Sequence, residues 1–472
     1  MTATNNPALL SATQLLELYR SKELSPVEAT RAALDQISKF DSAVNAFCLV
    51  DEAGAIASAK QSEDRWQRGG PCGLVDGVPT TIKDLLITKG WPTLRGSNTT
   101  DQNAPCEEDA PAVERLKEHG AVLLGKTTTP EFGWKGVTDN SLTGITRNPW
   151  NTNLTPGGSS GGAAVAASLG MGALHIGTDG GGSIRIPAAF TGIFGHKPSF
   201  GRVPAYPLSP FGTVSHAGPM TRNVADSALM LNVMAGFDAR DWFALPNQGL
   251  DFTKNLNDGV KGLRIAYSAN LGYAKVDEDV ARSVEQAVQV FQDLGASVEA
   301  VDPGFADPYE VFEAHWYAGA ANLLRDFPAE KRAMIDPGLA AIAEQGEKIG
   351  LMNYMSAVNA RGALGQHMKL FHEKWDLLIT PSLSITAFEA GKEVPDGSNQ
   401  KRWMEWTPFS LPFNLTQQPA CSVPCGFNDH GLPVGMHIVG PMHEDALVLR
   451  AAAAFEAVQP FKMPEQPVAG SV

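Results

Sequence analysis

Near the start of the chain, apolar residues recur at helical spacing behind two capping signals. Ser11 with Gln14 forms one capping-box pattern. Ser25 with Pro26 and Glu28 forms a second, with proline at the first helical position. The recurrence runs through Ile37 and predicts a pair of helices over about 8–40, packed outside the main body. From about Gly73 the texture changes. Val78–Leu86 reads as a buried strand holding one lysine, Ala112–His119 as a helix and Val122–Gly125 as a short apolar strand. Strands alternating with helices predict a layered α/β fold. Between Gly157 and Gly195 glycine becomes dense, and Asp179 and Arg185 are the only charged side chains. A helix from about Ser160 to Ser168 and a strand over Ala173–Gly177 interrupt that stretch. Past Gly236 charge density rises. Strands are predicted at Leu263–Tyr267 and Ala296–Val301 around an amphipathic helix at Glu278–Leu294. A long helix over Asn353–Lys374 leads into a strand over Asp376–Thr380, stopped by Pro381. Strands at Ala420–Pro424 and Val434–Val439 and a helix over Glu444–Glu456 close the pattern. No repeat or low-complexity linker divides the chain, so one continuous domain over 1–472 is expected.

Composition narrows the class. The 472 residues are 43% hydrophobic and 19% charged, enough apolar material for a large core and a poor match to disorder. A formal net charge of −14 disfavours both the phosphate backbone of nucleic acid and anionic membranes. The five cysteines, Cys48, Cys72, Cys106, Cys421 and Cys425, are odd in number and scattered, which fits a reducing compartment better than a disulfide framework. Cys421 and Cys425 lack a second cysteine pair or histidine cluster, so they read as small core residues and no metal site is expected. The opening Met1-Thr2-Ala3-Thr4-Asn5-Asn6 lacks a basic region followed by an apolar run, so no signal peptide is expected there, and no apolar run reaches the roughly 18 residues of a membrane span. A cytoplasmic protein is expected.

Three segments carry candidate chemistry. In Gly77-Val78-Pro79-Thr80-Thr81-Ile82-Lys83-Asp84, a lysine sits in an otherwise apolar strand. Burial penalises its charge and lowers its pKa, and a neutral lysine is a competent general base. The competing reading is a strand-end lysine that reaches back to water. In Thr155-Pro156-Gly157-Gly158-Ser159-Ser160-Gly161-Gly162, glycines permit close approach to a ligand, and the following helix offers free N–H groups. Gly157–Gly161 also matches the Gly-x-Ser-x-Gly nucleophile elbow, which makes Ser159 a rival nucleophile. In Gly177-Thr178-Asp179-Gly180-Gly181-Gly182-Ser183-Ile184-Arg185, three glycines leave N–H groups uncovered just before a serine. The N–H groups of Gly180, Gly181, Gly182 and Ser183 suit an oxyanion hole. Asp179 and Arg185 bracket the loop and are expected to pair across it.

Taken together, these segments resemble the amidase signature family. The match runs from about Leu74 to Asp226. Gly157–Gly162 and Gly182-Ser183-Ile184-Arg185-Ile186-Pro187 follow the family motif in order and spacing, with Ser159 and Ser183 24 residues apart. Thr143-Gly144-Ile145-Thr146-Arg147-Asn148-Pro149-Trp150 and Gly195-His196-Lys197-Pro198 resemble it too. The resemblance implies a large central mixed, twisted β-sheet covered by helices on both faces. It also implies a signature core over about 74–226, a more variable α/β part over 237–375 and C-terminal strands and a helix over 376–460. It implies a Ser–Ser–Lys triad: Ser183 as nucleophile, Ser159 as a relay often preceded by a cis peptide, and Lys83 as base, with no metal or organic cofactor. Gly180 stands where relatives often carry a larger apolar residue, so a slightly looser loop is expected.

Three rival readings compete. A Ser-His-Asp esterase would use Ser159 with His430, His437 or His443, but leaves the Gly-Ser-Ile-Arg loop and Lys83 without a role. The glutamine-hydrolysing component of a tRNA-dependent amidotransferase usually carries an Arg-Arg-Ile-x-Leu-Gly-like stretch. Gly346-Glu347-Lys348-Ile349-Gly350-Leu351 does not match it. A catalytically dead binding relative is disfavoured because all three triad positions are filled. The expected partner is a small neutral aryl or aliphatic amide, with no nucleic acid or membrane and a homodimer left open. Trp134, Thr138, Asp139, Asn140 and Gly158 are the expected pocket residues, with Tyr317, the Trp403–Trp406 region and Gln417-Gln418-Pro419 as further candidates.

Overall fold

Both N-terminal helices start on the caps the sequence supplies. Ser11 Oγ accepts the Gln14 N–H (3.0 Å) while the Gln14 side chain accepts the Ser11 N–H (2.9 Å), opening the helix Ala12–Ser21. Ser25 and Glu28 exchange the same bonds at the head of Pro26–Val44. Each such cap is worth about 1 kcal/mol. The computed structural model describes residues 6–469. The reading at residues 1–5 lies outside the described residues.

The strands are Phe47–Val50 (β1), Pro79–Lys83 (β2), Val122–Thr127 (β3), Asp139–Asn140 (β4), Gly144–Ile145 (β5), Leu174–Asp179 (β6) and Phe194–Lys197 (β7). They continue with His216–Thr221 (β8), Arg264–Tyr267 (β9), Ser297–Ala300 (β10), Leu377–Pro381 (β11), Ala420–Phe427 (β12) and Pro433–Val439 (β13). Among the described residues, β4 and β5 pair by themselves, and the other eleven form one mixed sheet in the order β1-β3-β2-β6-β8-β7-β12-β13-β11-β9-β10. The β3-β2-β6 and β11-β9-β10 runs are parallel, and the strands between them are antiparallel.

Alternation along each strand buries both faces. Leu377 and Ile379 of β11 join the large core with Phe291 and Phe455 of the helices Glu278–Asp293 and Asp445–Val458. Leu378, between them, points to the opposite face and packs with Phe409, Phe413 and Met368. In β3, Leu123 joins the first core, while Val122 and Leu124 join the N-terminal helices through Ile37 and Phe40. This is the period of two expected for a sheet covered on both sides.

β2 stops at Lys83, short of the predicted Leu86, because the Leu85 and Leu86 N–H groups turn back onto the Lys83 carbonyl. β6 runs two residues past the predicted end, to Asp179, held by β8. That extension brings the glycine loop to the end of a central strand.

Candidate active site

Lys83 ends β2 between β3 and β6 and is 0% exposed. Its Nζ lies 2.7 Å from Ser159 Oγ, 2.8 Å from Ser160 Oγ and 2.9 Å from Thr178 Oγ1. Burial drives its pKa well below the ordinary lysine value, and the nearby Asp179 carboxylate opposes this only in part. Two other buried lysines are answered differently. Lys126 meets the Asp84 carboxylate at 3.3 Å, and Lys197, pushed down to about 7 by burial, donates to the carbonyls of Gln418 and Pro198. Lys83 faces hydroxyls instead, which can exchange protons with it. Ser160 and Thr178 escaped the sequence reading. The doubled serine and the threonine two residues before the triple glycine were the available signal. The Gly158–Ser159 peptide is cis.

The glycine loop is tied from behind. Asp179 accepts the N–H groups of Gly182 (2.8 Å) and Ile184 (3.2 Å) and pairs with Arg185 through Nε and a terminal nitrogen, both at 2.9 Å. Asn414 Nδ2 adds a bond at 2.9 Å. Burial alone would raise the Asp179 pKa, but Arg185 and these donors hold the carboxyl far below the usual range. Gly182 takes φ of 117°, which a side chain rarely tolerates. The Ser410 hydroxyl donates to the Gly181 carbonyl at 2.6 Å.

One sequence expectation is corrected here. The Gly182 N–H is committed to Asp179 and is not free for an oxyanion. The N–H groups of Gly180, Gly181 and Ser183 have no hydrogen-bond partner among the described residues. The expected slackness at Gly180 is also absent. A Cβ there would come within 2.9 Å of the Trp316 ring, so Trp316 already fills the space. Trp316 is itself fixed by a stack on Phe211 (3.8 Å between centroids) and by its Nε1–H donating to the Trp134 carbonyl (3.0 Å).

Ser183 and Ser159 open onto a cavity of about 390 Å³. Its wall is mostly apolar, including Leu85, Phe132, Phe211, Trp316, Leu323 and Phe327. Trp134, Thr138, Asp139, Asn140 and Gly158 do not line it; they hold its frame. Trp134 gives its carbonyl to Trp316. Thr138 Oγ1 bridges the Gly157 carbonyl and the Gly161 N–H. Asp139 pairs with Lys135 at 2.6 Å, and Asn140 donates to the Thr129 carbonyl. Gly158 lies so close to Val137 that a Cβ would meet its backbone at 2.5 Å. Trp403 backs Gly181, and Tyr317, Trp406, Gln417 and Gln418 are likewise outside the wall.

The histidines of the rival triad do not meet Ser159. His437 is buried against Arg185 (3.1 Å), which with burial keeps its pKa well below the ordinary value. His430 and His443 lie in turns beyond the cavity wall.

Comparison with known proteins places the chain in a family. The amidase family pattern matches residues 28–449. An acylamidase from Rhodococcus erythropolis is 36% identical over 460 residues, covering 96% of each chain. One of the glutamyl-tRNA(Gln) amidotransferase subunits of Ligilactobacillus salivarius is 32% identical, covering 92% of this chain and 93% of that one. The crystal structure of a bacterial aryl acylamidase of the amidase signature family superposes with a TM-score of 0.89 at 34% identity, covering 96% of each chain. The chain belongs to the amidase family, and it is an amide hydrolase. No helix among the described residues is long and apolar enough to cross a membrane.

Proposed function

We propose that this amidase cleaves small aryl or aliphatic acylamides through an acyl-enzyme on Ser183, with Ser159 as proton relay and Lys83 as base. The observation that carries the reading is the buried Lys83 among three hydroxyls. The Ser160 hydroxyl donates to the Thr178 carbonyl at 3.0 Å, so toward Ser160 Lys83 must be the donor. A neutral amine that also donates to Thr178 Oγ1 has one lone pair left, and it faces Ser159. Ser159 then gives its proton to Lys83 as it takes one from Ser183, whose oxygen attacks the amide carbon.

The oxyanion is held by the N–H groups of Gly180, Gly181 and Ser183. As the tetrahedral centre collapses, the C–N bond breaks and the nitrogen leaves with the proton returned through Ser159. Water repeats the relay to release the acid. The residues draw on the ends of β2 and β6, and the loop between Asp179 and Arg185 is tied to Asn414 far along the sequence, so the whole chain is proposed to act as one catalytic domain.

The wall favours acylamides over glutamine. Among the described residues it offers no Asp or Glu to pair with an amino-acid ammonium. The test is a panel of aryl, aliphatic and ureido amides and glutamine. Purified protein alone is expected to hydrolyse benzamide or acetanilide. Activity confined to glutamine, and only with partner proteins and tRNA, would contradict the proposal.

Trp316 sets the size limit in this reading. Trp316→Ala is expected to shift the kcat/KM ratio toward the bulkier of two acyl anilides by about 10-fold or more, at a stability cost of about 3–5 kcal/mol. Paired kinetics and a melting curve check both.

A further inference from the structure

Among the described residues, the cavity wall carries one permanent charge. Arg95 lines it among apolar side chains, and no Asp or Glu accompanies it there. The Arg95 guanidinium has no hydrogen bond, ion pair or ring contact among the described residues. It is half-buried, in a chain of net charge −14 that elsewhere supplies acidic partners freely. Its backbone is not incidental. Arg95 takes φ of 56°, a left-handed conformation unusual for a side chain of this size. Its N–H donates to the carbonyl of Asp84, the residue after Lys83, and its carbonyl accepts the N–H of Phe132 (2.8 Å). Phe132, also on the wall, is left-handed too, at φ 51°. Two strained wall residues are thus bonded to one another and to the segment that follows Lys83.

We infer that Arg95 is a binding residue for a carboxylate on the substrate, and that the preferred substrates are amides carrying one carboxylate on an apolar spacer. This rests on reading the Ser183 cavity as the substrate site. A guanidinium offers a planar fork of donors that matches a carboxylate in two parallel bonds. A substrate that fills the cavity strips water from the guanidinium, which costs affinity unless the substrate brings the counter-charge. This departs from the neutral substrate expected from the sequence, where Arg95 carried no signal.

The test uses two matched pairs. On the amine side, 4-acetamidobenzoate is compared with the isosteric, neutral 4-nitroacetanilide. On the acyl side, succinic acid monoanilide is compared with butyranilide. Arg95→Met is expected to lower kcat/KM for the carboxylate member of at least one pair by about 10- to 100-fold, chiefly through KM. Its neutral twin should lose much less, so that the ratio of the two kcat/KM values within the pair shifts by about 10-fold or more. Arg95→Lys, which keeps the charge without the fork, should recover part of the loss, and added salt should raise KM for the carboxylate alone.

Equal effects on both members of both pairs, or none, would overturn the inference while leaving the proposed function standing. If wild type cleaved none of the four, the proposed function would fail. The four compounds are then titrated by calorimetry against wild type and Arg95→Met. Tighter carboxylate binding lost in Arg95→Met would support the Arg95 site, and equal affinities would overturn it.

Discussion

Replacing Lys83 with methionine is expected to lower kcat/KM by about 10²- to 10⁴-fold, the range for loss of a general base. The fold is expected to survive and to gain stability relative to wild type as pH falls, set against the hydrogen bonds lost at Ser159, Ser160 and Thr178. Methionine keeps most of the volume of the lysine stem and brings no charge. The sign follows from the depressed pKa. Lys83 is proposed to be neutral when folded and is charged when unfolded, so folding releases a proton. That cost is largest below the folded pKa and fades as pH rises toward the ordinary lysine value. Lys83→Met removes it, so melting curves at about pH 6 should favour the variant more than curves at about pH 9. Wild-type kcat/KM should rise with pH as Lys83 loses its proton, on a limb lying below the ordinary lysine range, and Lys83→Met should lose that limb. A variant that was inactive and also strongly destabilised at every pH would point to a structural lysine.

The second large effect is expected at Asp179. Asp179→Ala removes the acceptor for the Gly182 and Ile184 N–H groups and leaves the buried Arg185 without its carboxylate. Breaking one side of such a pair costs about 3–5 kcal/mol. The glycine loop then loses its rear anchor, and with it the oxyanion-holding role proposed for the N–H groups of Gly180, Gly181 and Ser183, so kcat should fall by about 10²-fold or more. Asp179→Asn keeps the shape and one acceptor oxygen and should lie between. Because the Asp179 carboxyl is held far below the usual range, its stabilisation is present at all pH above the ordinary aspartate value and is lost only in much stronger acid. Chemical denaturation and kcat, measured on both variants, check the two effects together.

Much of this site is legible in the sequence, and the residues show why. Ser159, Ser183 and Lys83 stand in segments whose glycine and apolar context marks them as candidates, while the roles proposed for them came from the family resemblance. The Asp179–Arg185 pair follows from two lone charges in a long uncharged stretch. The fold class follows from alternating strand and helix patterns. β7, β8 and the helix Val224–Met234 were not read, because they are buried on every side and show no amphipathic period. The commitment of the Gly182 N–H was invisible because it depends on the loop's curl around Asp179, not on residue type. The cavity wall was missed for a different reason. It draws on segments near Leu85, Arg95, Phe132, Phe211, Trp316 and Phe327, far apart in the chain and brought together only by folding. Trp134 through Asn140 precede the serine motif in sequence but fold behind it.

The proposed mechanism turns on Ser183, and not Ser159, carrying the acyl group. The most direct measurement is the intact mass of enzyme quenched in acid during turnover of an activated acyl anilide, followed by mapping of the modified peptide. A mass gain of one acyl group on Ser183, absent from Ser183→Ala, is expected. An adduct on Ser159, or steady turnover by Ser183→Ala at the wild-type rate, would contradict it.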